Sequence, residues 1–166
     1  MAVGHPAHVP PAGDFAAGPT GRRRLAKGGA AGSVRRVNAN VVGKHYPSTT
    51  LTVEPQRVRA FAEAVGQTAP GIPPTFATVA EFAVFGQIVS DPELDLDFAR
   101  VVHGDEEYVW HRPAAVGETL VVTARIAAIR ERGGHGFLTI EMDLTSAAGE
   151  PVATACATMI ERGPAS

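Results

Sequence analysis

Between Thr75 and Val89 the chain carries a single charged residue, Glu81. Phe76, Val79, Ala80, Phe82, Ala83, Val84, Phe85 and Ile88 supply apolar side chains around most of the helical circumference. A helix this apolar cannot lie on a surface with one wet face; it must be buried centrally. Whatever surrounds it must offer a broad apolar wall, and this requirement limits the folds open to the chain. Thr75 is the candidate cap, with Pro74 before it, and Asp91-Pro92 ends the segment.

The wall follows in the sequence. Beyond Pro92 the hydrophobic period changes from that of a helix to two. Val101 to His111, Thr119 to Arg130, Gly136 to Thr145 and Val152 to Glu161 all read as strands. Arg112-Pro113 with Gly117, then Gly133-Gly134, then Ala148-Gly149-Glu150 mark the turns. Leu120, Val122, Ala124, Ile126 and Ala128 alternate with more polar neighbours, so a one-residue slip would reverse both faces and register is well fixed. Upstream, Leu51 to Gly66 reads as a first helix. Thr52 or Glu54 can cap it and Pro55 suits its first turn, where a missing N–H costs nothing. Val58, Phe61, Ala62 and Val65 form its apolar face, and Gly66 provides the stop. A short strand, two helices and an antiparallel meander make an α+β sandwich.

Composition narrows the class. The chain has 166 residues and is 45% apolar, enough for one domain with a real core. Residues 1–38 form a Gly/Ala/Pro-rich basic stretch expected to be disordered, and the folded domain is expected over 39–163. Up to Asn40 there are six basic residues against one acid, while the rest carries nine against sixteen. An acidic globular part argues against nucleic-acid binding. No apolar run is long enough to span a membrane, and Arg22-Arg23-Arg24 is not followed by a secretory apolar stretch, so a cytoplasmic protein is expected. The lone Cys156 excludes an intrachain disulfide. It reads as a small buried strand residue, with a nucleophile as the sharper alternative.

An apolar helix wrapped by an antiparallel sheet is the hot-dog arrangement, and specific strings point the same way. Pro73-Pro74-Thr75-Phe76, the run Val102-His103-Gly104-Asp105-Glu106-Glu107-Tyr108-Val109-Trp110-His111-Arg112-Pro113, and Gly117-Glu118-Thr119-Leu120 resemble the N-terminal MaoC-like dehydratase family, also called type I fatty-acid-synthase-like dehydratase. The resemblance covers about Asn40 to Arg162. It includes the non-catalytic subunits of (3R)-hydroxyacyl-ACP dehydratases. Catalytic relatives carry Gly-Asp-x-Asn-Pro-x-His after the first helix, whose Asp and His aim and activate a water. The corresponding stretch here is Gly66-Gln67-Thr68-Ala69-Pro70-Gly71-Ile72. Gln67 stands for the Asp and Ile72 for the His, and neither can move a proton near neutral pH. No histidine lies between His45 and His103, so a shifted register does not restore the pair. A segment that relatives insert before Pro73 is also missing, which shortens the cover over the acyl pocket.

The resemblance implies that Pro74, Thr75 and Phe76 lie near the thioester. His103 could bond substrate or partner, or could be a strand-start residue bonded to backbone. No catalytic residue is assigned; His103 and Asp105 are the fallback candidates. Asp105, Glu106 and Glu107 read as solvated, because successive strand residues point to opposite faces and cannot converge. Tyr108 and Trp110 share a face and could pack on a partner's sheet. His5 and His8 lie in the tail; His45 sits at the start of the domain, His111 ends a strand near a turn, and His135 sits at a hairpin tip. No pair of histidines has metal-ligand spacing, and no metal or cofactor is expected.

Three functions remain open. The first is an accessory hot-dog subunit that pairs with a catalytic MaoC-like subunit to dehydrate (3R)-hydroxyacyl thioesters of acyl carrier protein or coenzyme A. The second is a homodimeric module that binds an acyl thioester without turnover. The third is a self-sufficient dehydratase or thioesterase with a non-standard base.

Overall fold

The computed structural model describes residues 37–163, so His5, His8, the basic cluster and most of the expected tail lie outside the described residues. The element order is β1 (His45–Thr52), α1 (Pro55–Ala64), α2 (Ala77–Val89), β2 (Val101–Trp110), β3 (Thr119–Arg132), β4 (His135–Ser146) and β5 (Pro151–Glu161). The five strands form one antiparallel sheet in the order β1-β3-β4-β5-β2. β3, β4 and β5 follow as a meander, while β1 and β2 occupy the two edges. Pro47 sits on edge strand β1 at a register shift between Tyr46 and Thr49, a place where a missing N–H breaks no ladder bond.

Alternation decides which face is inner. Leu120, Val122, Ala124 and Ile126 of β3 and Leu138, Ile140, Met142 and Leu144 of β4 are all buried. Ala153, Ala155 and Ala157 continue that face on β5. Three small residues in a row let the helix layer approach this side of the sheet closely. α2 contributes Ala77, Ala80, Val84, Phe85 and Ile88 to the same core. Val84 and Ile88 are completely covered, each worth about 1.5–3 kcal/mol relative to an exposed side chain. α1 adds Val58, and Phe61 packs edge-on against Phe76 with centroids 5.5 Å apart.

The end of α2 is tied down. Tyr46 donates its hydroxyl to Asp91 at 2.7 Å, and Lys44 lies 2.7 Å from both Asp91 and Glu93. Asn38 donates its backbone N–H to the Leu94 carbonyl at 3.0 Å, and the Gly43 N–H reaches the Ile126 carbonyl at 2.8 Å.

Several local expectations need correction. α1 begins at Pro55, not Leu51: Leu51 and Thr52 still pair with Leu120 and Thr119 in the sheet, and strand pairing wins over helix periodicity there. Glu54 is the N-cap, but its side chain makes no capping bond. Thr75 does not cap α2 either; Pro74–Phe76 forms a 3-10 turn that leads directly into it. The central helix is not wrapped on all sides. Phe82 is 68% exposed, and Ala83 and Gly86 beside it are also open.

Candidate functional site

β2 runs past α2 and connects two features, an apolar cleft at its C-terminal end and a polar cluster along its middle. The cleft has a volume of about 680 Å³. Ile72, Pro73 and Pro74 form one wall; Trp110, Pro113, Ala114 and Val116 form the other, with His111 and Arg112 at the polar margin. Arg112 is already committed. It grips Glu118 through two bonds of 2.5 and 3.1 Å, and Glu118 also accepts the Ala115 N–H at 2.9 Å. The guanidinium holds the Glu118 carboxyl below its ordinary range. This pair fixes the loop between β2 and β3 that carries the second wall. His111 bonds Thr154 of β5 at 3.1 Å rather than a turn.

The stretch aligned with the hydratase motif borders this cleft and carries no acid or base. Gln67 spends its amide on its own loop, donating to the carbonyls of Ala69 and Gly71 at 3.1 and 3.4 Å. Ile72 is part of the apolar wall. Gly66 and Gly71 have φ of +70° and +112°, conformations that let this short loop fold back and close.

The polar cluster begins with Glu81, which is 1% exposed. Tyr108 donates its hydroxyl to one Glu81 oxygen at 3.1 Å and lies 2.9 Å from the Thr78 hydroxyl. The other Glu81 oxygen, Oε1, is buried without a hydrogen-bond partner among the described residues. Burial, then the charge of Glu106, push the Glu81 carboxyl up to about 7, against the pull of the Tyr108 bond. Glu106 is itself raised, chiefly by burial, while His103 opposes the shift. His103 Nε2 lies 3.0 Å from Glu106 Oε2 and 3.1 Å from the Asp105 carbonyl.

A bulge makes this last contact possible. His103 and Glu106 are three apart and would point to opposite faces of a regular strand. The register with β5 jumps from His103↔Met159 to Asp105↔Thr158, leaving Gly104 as the extra residue. His103 thereby joins Glu106, Tyr108 and Trp110 on one face. A Cβ on Gly104 would stand 2.7 Å from Ile160 Cδ1 and 3.2 Å from the Thr158 carbonyl oxygen, which explains the glycine.

The site residues named from sequence therefore separate. Pro74 lines the cleft, Thr75 is exposed, and Phe76 is core at 1% exposure. His103 lies seven residues along β2 from Trp110, about 20 Å away at strand rise. Asp105 points outward and accepts the Glu106 N–H at 3.0 Å, so Glu106 is the acid that meets His103. Glu106 is half-buried rather than solvated, which corrects the reading of that residue; Tyr108 and Trp110 share a face as expected, with ring centroids 6.3 Å apart. Cys156 is only half-buried and sits across from Glu107 and Glu141. Burial and these acids raise its thiol pKa, the wrong direction for a nucleophile. His45 is exposed, and His135 at the hairpin tip accepts the Gly163 N–H at 3.0 Å. Among the described residues no group of three or more His, Cys, Asp or Glu is placed to hold a metal. Sequence reasoning missed the Glu81–Tyr108 pair. Its one signal was a lone acid in an otherwise apolar helix.

Residues 71–155 match the family described as FAS1-like, dehydratase domain region. The chain belongs to this family. A UPF0336 protein of Saccharopolyspora erythraea is 35% identical, with 78% of this chain and 94% of the relative covered. Among solved structures, the fold is similar to the HadBC (3R-hydroxyacyl-ACP dehydratase) complex of Mycobacterium tuberculosis, at TM-score 0.63 and 24% identity, with 75% of this chain and 99% of that chain covered. The ChsH1-ChsH2 complex of the same organism gives TM-score 0.57 at 18% identity, with 74% and 86% covered. The hot-dog fold and the dehydratase relationship of the chain thus stand together.

Proposed function

We propose that this chain is a non-catalytic subunit of a two-subunit (3R)-hydroxyacyl-thioester dehydratase, with the acyl chain in the cleft between Ile72 and Trp110. The observation that carries the reading is the closed Gln67 loop. The segment where a dehydratase needs an acid and a base has its polar side chain bonded to its own carbonyls and an isoleucine in the apolar wall. Such a site can shield an acyl chain from water but cannot add or remove a proton. The cleft is within the size range of small-molecule pockets and mostly apolar, as a fatty acyl group requires. Two solved relatives of this fold are complexes, HadBC and ChsH1-ChsH2, which supports a hot-dog partner that brings the missing pair.

One observation favours a second reading. Glu81, raised to about 7 and connected through Glu106 to His103, has the acidity of a general acid or base at neutral pH. The lining of the cleft includes none of these three residues, so the accessory reading stands first.

Hydration of crotonyl-CoA and of a longer enoyl-CoA, followed by loss of enoyl absorbance, separates the two. The accessory reading expects an inert pure chain and activity when a subunit with an intact Asp/His motif is added. Turnover by the pure chain that disappears in Glu81→Gln and His103→Ala would replace it with the second reading.

A further inference from the structure

The polar cluster and the cleft share one residue, Tyr108. Its hydroxyl donates to Glu81 Oε2 at 3.1 Å and lies 2.9 Å from the Thr78 hydroxyl. Its ring lies against Trp110, with centroids 6.3 Å apart and planes tilted by 34°, within the range of aromatic pairing. Trp110 in turn walls the cleft. A continuous chain of contacts thus runs from Glu81 to the cleft. Glu81 itself is fixed: it is 1% exposed, and Ala80 and Val84 of the same helix are completely covered. The groups that face it from β2 are Glu106 and Tyr108, with His103 behind Glu106. On β5 the residues opposite Glu106 and Tyr108 are Ala157 and Ala155, small and uncharged. Thr78 on its own helix adds a hydroxyl and no charge. Glu81 Oε1 has no hydrogen-bond partner among the described residues. A proton on this carboxyl removes the charge; its loss leaves a buried carboxylate next to that of Glu106, a costly arrangement.

We propose that Glu81 and Tyr108 are positioning residues for the cleft: protonated Glu81 holds Tyr108, and through it Trp110, in place on the cleft wall, and loss of that proton releases the wall. The element that gives way is β2. α2 is packed into the core, whereas β2 is bonded on one side only, to β5. Thinly held elements open before the core does. Relief of the two like charges moves Glu106 and Tyr108 away from Glu81 or admits water between them, and Trp110, two residues along on the same face, follows. An acyl chain in the cleft favours the state with an intact wall, so by linkage it also favours the proton on Glu81. The inference rests on the reading that the acyl chain lies in this cleft and adds how that site is regulated; the displacement of Trp110 needs no ligand.

Trp110 is the only tryptophan, so its emission reports the wall directly. Emission of the free full chain is followed from about pH 5.5 to about pH 8.5, with circular dichroism to confirm the fold throughout. Wild type is expected to show one transition centred at about 7, where burial and Glu106 hold the Glu81 carboxyl. Glu81→Gln keeps an acceptor for the Tyr108 hydroxyl and has no proton to lose, so its emission should stay level and match wild type at low pH. His103→Gln, which removes another ionisable group of the cluster, should keep the transition. Tyr108→Phe keeps the ring but cuts the bond to Glu81, and should lose most of it. Affinity for palmitoyl-CoA should fall on the order of fivefold across the transition in wild type and stay level in Glu81→Gln. Level wild-type emission overturns the proposal, as does a transition that survives in Glu81→Gln or is unaltered in Tyr108→Phe, or a palmitoyl-CoA affinity indifferent to pH. The acyl-cleft reading fails separately, on an absence of palmitoyl-CoA binding at every pH in chains whose Trp110 emission still shows the transition.

Discussion

Glu81 is the residue on which the most physics converges. A carboxyl held near 7 in the folded chain and near 4.5 in the unfolded one binds its proton more tightly when folded. Stability from this group is therefore present below pH 4.5 and declines as pH rises toward 7. Glu81→Gln keeps an acceptor for the Tyr108 hydroxyl and has no charge to bury. We expect the variant to exceed wild type in stability at pH 8 by on the order of 3 kcal/mol. The gain should shrink to little at pH 4.5. Urea unfolding at the two pH values measures both, and a pH-independent difference would mean that the charge is not the cause. Tyr108 and Glu106 lie far from Glu81 in sequence, so the lone acid in an apolar helix was the one local signal of this group; only the sheet brings β2 beside α2.

At the scale of elements, the bulge in β2 has the largest consequence. Gly104 lets His103 change sides, and the space around it is closed by Ile160 and the Thr158 carbonyl. Gly104→Ala is expected to cost about 1–3 kcal/mol by overpacking. Ile160→Val removes the Cδ1 atom that stands 2.7 Å from the new Cβ, so the double variant should recover part of the loss. Thermal unfolding of the four members of this cycle gives the coupling; strictly additive losses would show that Ile160 is not the obstruction. The strands themselves were legible because inner and outer residues alternate, and their observed bounds differ from the reading by one or two residues. The start of α1 was not. Leu51 and Thr52 suit either state locally, and pairing with β3 decides for the strand.

At the scale of the whole molecule, the sheet with α2 against it leaves a cleft at one end of β2 and an acidic edge along the strand. Trp110 is the only tryptophan in the chain and it lines the cleft. Titration with a long-chain acyl-CoA should therefore change its emission, while free coenzyme A should change it little. Val116→Arg, at an exposed position of the wall, should weaken the response tenfold or more by placing a charge where the acyl chain lies. An unaltered response in this variant would move the acyl chain out of the cleft. The exposed Phe82 on α2 belongs to this scale as well, since a helix too apolar for water has one side that the described residues leave uncovered.

The sequence by itself determined the layers, the family and the absence of Asp and His from residues 66–72. Those depend on period, turn residues and side-chain identity, all of which are local. Tertiary structure alone decided that Pro74 lines the cleft while Thr75 is exposed and Phe76 enters the core, and that Phe82 of α2 stands exposed. It also decided that Glu106 rather than Asp105 meets His103, and that Glu81 is buried beside Tyr108. Each of these depends on which strand lies beside which helix and on a one-residue bulge, and a shift of one residue exchanges buried for exposed throughout a strand.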